Sequence, residues 1–336
     1  MKPFRKTTGV LLTALPWLLA VSGAAQTPPA LEARLLAGVN ITGTPGDVYV
    51  VQTTTNAANT NSWSSLAFVQ MPGTNQLFVD PSGASAGQRF YRAVLVNTLT
   101  NMVFIPPATF KQGSPAGEID RRSDEGPQTT VTLRRGYWVG KYEVTQREYL
   151  AVTGSNPSYY TNNLDRPVES VGWPTATNYC ALRTAQEAAA GLIPAGSYYR
   201  LPTEAEWEHA ARGGSSTRFS HGEDPSAADT GNYAWTLENS SLTTYPVGQK
   251  LPNPIGLYDM GGNVWEWCSD WYGPYSGGWA VDPQGPPTND IGFKVIKGSS
   301  FDGSKSACRP ARRWFHGSHE ALTDSAIGFR VVLVTP

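Results

Sequence analysis

The 336 residues carry 26 Lys plus Arg against 27 Asp plus Glu, a formal net charge of −1, so no basic field recommends a nucleic acid as partner. With 34 glycines, 26 prolines and 11 tryptophans the chain reads as loop-rich and stabilised by aromatic packing, and three cysteines are too few for a disulfide scaffold. The length suits one large domain and one small one.

Lys2, Arg5 and Lys6 precede an apolar run from Val10 to Val21 and the small residues Ser22 to Ala25. This order is that of a secretory signal peptide over 1–25, and it places the mature chain outside the cytoplasm: secreted, periplasmic or at the cell surface. An uncleaved N-terminal anchor is the rival reading, although the run is short for a membrane span and no other stretch approaches one.

Between residues 31 and 98, Val48–Val51, Trp63–Val69, Leu77–Val79 and Phe90–Val96 alternate apolar and polar residues between turn signals. They predict a small β-sandwich-like module, of a size that can just form its own core. The stretch has no histidine or cysteine and few acids, so attachment or spacing is its expected role. Trp63 reads as a core residue, with sugar binding as the alternative.

The large domain spans 102–334. Gly117–Gln128 is charged and predicts a surface loop, and Thr129–Leu133 with Tyr137–Tyr142 predict paired strands around Arg134-Arg135-Gly136. Helices are expected over Thr145–Val152, Pro174–Ala190 and Thr203–Arg212. Thr145 with Glu148, and Thr203 with Glu206, stand at capping-box spacing. Glu204, Glu206 and Glu208 read mostly as first-turn acids favoured by the helix dipole. Beyond Gly213 the chain is irregular until Trp265, and such a length needs support from elsewhere.

Around Gly256–Tyr272, Trp265, Trp267 and Trp271 all fall at odd positions, so strand alternation would put them on one buried face. Asp259 and Glu266 bracket the turn Met260-Gly261-Gly262-Asn263. Carboxylates mixed with main-chain oxygens suit a hard cation such as Ca²⁺; two solvated acids on a tight turn is the other reading.

Several motifs follow one another in a familiar order: Phe104-Ile-Pro106, Lys141-Tyr-Glu-Val-Thr145, Arg166-Pro-Val168, Val171-Gly-Trp173, Tyr179-Cys180, the block from Arg200 to Gly214, Pro246-Val-Gly248, Asn263-Val-Trp-Glu-Trp267 and Gly328-Phe-Arg330. Together they resemble the formylglycine-generating enzyme (sulfatase-modifying factor) family. The resemblance implies an α+β, C-type-lectin-like fold rich in irregular structure. It further implies a calcium site of the Asp259 and Glu266 side chains with the Gly262 and Val264 carbonyls. A second would use Asn232, the Tyr233 carbonyl, Asn239 and the Ser241 carbonyl.

Active members of that family hold Cu(I) on two thiolates near the C-terminus, a soft ion on its preferred ligand. With O₂ they oxidise a sulfatase cysteine to formylglycine. Here the corresponding run is Lys297-Gly-Ser-Ser-Phe-Asp-Gly-Ser-Lys-Ser-Ala-Cys308. Read forward from Gly298, Gly303 and Cys308 fall on the pair. Read back from Ala311-Arg-Arg313, both positions are empty and Cys308 stands beside a structural cysteine. Either way the pair is incomplete, and Cys308 is the sole candidate catalytic thiol. Cys180 matches a family cysteine whose partner position is Val331 here. Export would permit one disulfide among Cys180, Cys268 and Cys308, and which two stays open. His316 and His319, beside Glu320, read as solvated loop residues. Fold does not transfer activity; the site does. The favoured reading is an exported, calcium-stabilised binding protein for a protein or glycan ligand, and the alternative is a copper-dependent formylglycine-generating oxidase.

Overall fold

The computed structural model describes residues 37–59, 62–80, 89–96, 99–288, 292–318 and 323–335. The expected export segment, His319 and Glu320 lie outside them. The chain divides into two units, the first ending at Leu95 and the second running from Val96. No helix of the described residues is long and apolar enough to cross a membrane.

The first unit carries β1 (Ala37–Thr42), β2 (Val48–Thr54), β3 (Ser64–Gln70), β4 (Asn75–Asp80) and β5 (Phe90–Leu95). β2 is the centre of an antiparallel sheet with β3 and β5, and β1 pairs antiparallel with β4. Alternation along the strands sends Ile41, Val51 and Phe78 into one small core with Met71. Trp63 is not part of that core; it is half-buried, with the Arg92 guanidinium 4.3 Å above its ring.

The second unit begins with β6 (Met102–Ile105), β7 (Ala108–Gln112), β8 (Thr129–Leu133), β9 (Tyr137–Gly140), α1 (Gln146–Thr153), α2 (Trp173–Ala189), β10 (Tyr198–Arg200) and α3 (Glu204–Arg212). It continues with β11 (Trp265–Trp271), β12 (Gly278–Val281), β13 (Phe293–Lys297), β14 (Arg313–Gly317), β15 (Ile327–Gly328) and β16 (Val332–Val334). Three sheets result, ordered β10-β16-β9-β6, β14-β13-β11-β15 and β12-β8-β7. α3 joins them. Its Ala205, Trp207, Ala210 and Ala211 share one core with Val131 of β8, Val139 of β9, Val295 of β13 and Val332 of β16. Both expected capping boxes form, at Thr145 with Glu148 and at Thr203 with Glu206. α3 ends on Gly213 in the left-handed conformation that glycine adopts without strain.

Two expectations fail for reasons of long-range packing. β8 and β9 are not a hairpin. β8 pairs with β7 and β12, whereas β9 pairs with β6 and β16. The connection leaves the first sheet at Arg134, whose main-chain N–H and guanidinium both bind Asp282. The tryptophan row also fails: Trp267 is buried, but Trp265 and Trp271 are half-exposed, and the register against β13 shifts between Trp267 and Trp271. β11 is covered on both sides, with Glu266, Cys268 and Asp270 buried on the face that meets α3.

Candidate functional site

β9, the Asp259–Asn263 turn, β11 and the chain after β15 bring Glu143, Asp259, Glu266 and Arg330 together in the interior. Arg330 grips Glu266 with two hydrogen bonds of 2.6 Å and donates to the carbonyls of Gly140 and Tyr258. Trp207 Nε1 adds a third bond to Glu266 at 2.7 Å. Glu143 accepts from Asn263 Nδ2 at 2.7 Å and from the Val264 N–H at 3.2 Å. Burial, then the charges of Asp259 and Glu266, push the Glu143 carboxyl well above the ordinary range. Burial likewise moves Asp259 up to about 6. Its Oδ2 accepts from the Gly248 N–H at 2.7 Å, while Oδ1 is buried without a hydrogen-bond partner.

The predicted first calcium set is therefore close in space but not free to act as a cage. Glu266 spends both oxygens on Arg330 and Trp207, and a cation there would have to displace a buried guanidinium. Asp259 alone keeps an open oxygen, beside a cavity of about 30 Å³ shared with Gly261, His221 and Cys308, the size of a water or two. Gly262 is required for a different reason: at its positive φ of 76°, a Cβ would overlap the Trp235 carbonyl. Among the described residues, no three or more His, Cys, Asp or Glu side chains are arranged to hold a metal ion.

Of the second predicted set, the Asn239 side chain is engaged. Asn239 Oδ1 accepts from the Thr236 N–H at 2.8 Å, and its Nδ2 donates to the carbonyls of Gly231 and Ala234. Lys250 donates to the same Gly231 carbonyl at 2.7 Å and lies 3.9 Å above the Trp235 ring. Asn232 is exposed and gives its carbonyl to the Leu251 N–H; Tyr233 stacks on His221; Ser241 is exposed at φ 54°. The support expected from calcium over the irregular stretch comes from side chains. Asn253 alone binds four main-chain groups, those of Ala210, Ala211, Ile255 and Leu257.

All three cysteines are free and buried, so the expected disulfide is not made. Burial pushes the thiols of Cys180 and Cys308 up to about 12 and that of Cys268 well above its usual value. Cys308 packs with Phe219, Ala227 and Ala234, and Gly261 is pressed so close that a Cβ there would sit 2.9 Å from Cys308 Cβ. No second cysteine lines its cavity. At Gly303 a Cβ would overlap Ser299 Oγ. A single enclosed thiol supplies one of the two soft ligands that Cu(I) takes in the family's centre.

Residues 89–334 match the sequence profile described as the sulfatase-modifying factor enzyme 1-like domain. The chain belongs to the sulfatase-modifying factor family. It is 35% identical over 182 residues to the chaperone protein LppX of Paenibacillus barcinonensis, covering 42% of this chain and 64% of that one. It is 37% identical over 183 residues to the formylglycine-generating enzyme of Streptomyces coelicolor, covering 51% of this chain and 53% of that one. The alignments thus span less than two thirds of either relative. Among solved structures, Treponema denticola variable protein 1 superposes with a TM-score of 0.60 at 30% identity, over 70% of this chain and 95% of that one.

Within this sulfatase-modifying factor fold, sequence reasoning missed the buried ion pairs. Glu125 lies in the segment expected to be a surface loop, yet it is buried against Arg309, which also binds Glu118. Of the α3 acids, Glu206 caps the helix as expected and also pairs with Arg200. Glu204 pairs with Arg313, and Glu208 with Arg212 and Lys297. The one available signal was three acids in a nine-residue helix whose other members are three alanines, Trp207, His209 and Arg212. His316, expected in a solvated loop, sits in β14 with its ring 5.7 Å from Trp267.

Proposed function

We propose that this member of the family works by binding a protein or glycan ligand outside the cytoplasm, and that it does not oxidise cysteine. The observation that carries the reading is Cys308: a lone thiol, buried, held near 12, with glycine at the companion position. Copper chemistry of the family's kind has no second cysteine thiol to use here. A second support is the face beside that run. Tyr159, Leu237 and Leu242 are exposed by 74%, 51% and 57%. Leu237 donates its N–H to the Gly303 carbonyl, and Tyr160 packs edge-on against Phe301 at 5.5 Å. Apolar groups gathered in this way suit a macromolecular contact. That a relative of this domain bears the name of a chaperone agrees with a fold used for more than oxidation. Calcium has no part in the reading, because of the two carboxylates expected to hold it only Asp259 keeps an oxygen without a partner.

The test is direct. Full-length protein is supplied with copper, a reductant, O₂ and a Cys-x-Pro-x-Arg peptide, and the peptide is followed by mass spectrometry. No aldehyde is expected. Aldehyde formation that stops in Cys308→Ser would replace the binding reading with the oxidase.

A further inference from the structure

We propose that a second cavity, lined by Glu204 and Ala205 at the start of α3 and walled by Gln112, Asp270, Trp271 and Tyr275, binds a pyranose sugar. Its volume is about 360 Å³. A dry cavity of about 150 Å³ accepts benzene, so this one holds a six-membered ring together with its hydroxyl groups.

The walls say what kind of ring. Gln112, at the end of β7, is only 4% exposed, and its side-chain amide has no hydrogen-bond partner among the described residues, leaving a donor and an acceptor for an occupant of the cavity it lines. Asp270 is 3% exposed and has no ion pair. Its Oδ2 accepts from the Glu204 N–H and from Ser269 Oγ, both at 3.0 Å, while Oδ1 accepts from neither. Gly285 passes over that oxygen, and a Cβ there would lie 3.3 Å from it, so the missing side chain keeps Asp270 within reach. Glu204 also lines the cavity but is spent: Tyr275 donates to one oxygen at 2.8 Å and Arg313 to the other at 2.7 Å.

An apolar occupant would strand the Gln112 amide and the Asp270 carboxylate without partners, which is unfavourable in a buried site. A cationic occupant would meet cations already in place, since Lys294 lies 3.8 Å above the Trp271 ring and Arg313 4.2 Å above that of Tyr275. A neutral ring avoids both difficulties. Its hydroxyls donate to Asp270 and exchange bonds with Gln112, and its C–H face lies against the aromatic wall. The site rests on the binding reading above and names its glycan class, but it does not depend on the chemistry of Cys308, so the peptide-oxidation test and the sugar titration below can fail separately.

Full-length protein is titrated with methyl pyranosides of the gluco, galacto, manno and N-acetylglucosamine series, read by saturation-transfer NMR and tryptophan fluorescence. Cyclohexanol and choline serve as the apolar and cationic controls. At least one pyranoside is expected to bind saturably, with Gln112→Leu and Asp270→Asn each weakening it by about tenfold or more. Gln284 stands exposed on the rim. Gln284→Trp closes the mouth without disturbing the core, and is expected to abolish binding even if the buried variants fail to fold. The proposal is overturned if no pyranoside saturates, if choline or cyclohexanol binds as well, or if Gln284→Trp binds like the unaltered chain.

Discussion

Asp270 shows what one buried carboxylate does to this molecule. Burial, then the neighbouring charge of Glu204, holds it at about 7, against 3.8 for the free side chain. Glu204 and Glu206 of α3 oppose its ionisation, while Lys294 of β13 stands near without pairing to it. Because the folded value is raised, the group's stabilising contribution is complete below about pH 4 and is lost as pH rises through about 7. Across that window it should remove about 1.4 kcal/mol of stability per pH unit. Urea unfolding at pH 5 and pH 6.5, both inside that window, is expected to show this slope, and Asp270→Asn to flatten it. Equal slopes in the two proteins would mean that Asp270 ionises freely. None of this was legible in the sequence, where Asp270 reads as one more polar residue between tryptophans.

Among the elements, the two capping boxes were legible because each lies within four consecutive residues. Pairing was not. β8 and β9 follow one another closely, yet each finds its partners elsewhere, and nothing in their alternation names them. The irregular chain between α3 and β11 was recognised as such, with calcium expected to support it, and the polar side chains that hold it were not foreseen. Polar side chains hold it: Asn253 on the end of α3, Asn239 across its own loop, and Asn263 between Tyr245 and Glu143. Asn253→Ala strands several buried main-chain groups and should cost about 2–3 kcal/mol. Chelation with EDTA should leave the melting temperature unchanged, since Glu266 already has its cation in Arg330. A fall in melting temperature on chelation, absent in Asp259→Ala, would show that calcium displaces Arg330.

At the scale of the whole molecule, the ordered motifs from Phe104 to Arg330 made the family and its α+β fold legible, because they are the residues that build the interior: Trp207, Glu266 and Arg330 touch one another across three separate motifs. The consequences of the missing sulfur were legible in part. Sequence showed a single cysteine in the run from Lys297 to Cys308, and the structure adds that its thiol is enclosed, with burial pushing it up to about 12. The central claim is that this fold is present without its copper centre. Competition titration of Cu(I) against a chromophoric chelator, on full-length protein under reducing conditions, tests it most directly. No tight one-to-one complex is expected, because losing one of two thiolate ligands should weaken binding by about a thousandfold or more. A tight one-to-one complex that disappears in Cys308→Ser would contradict the account.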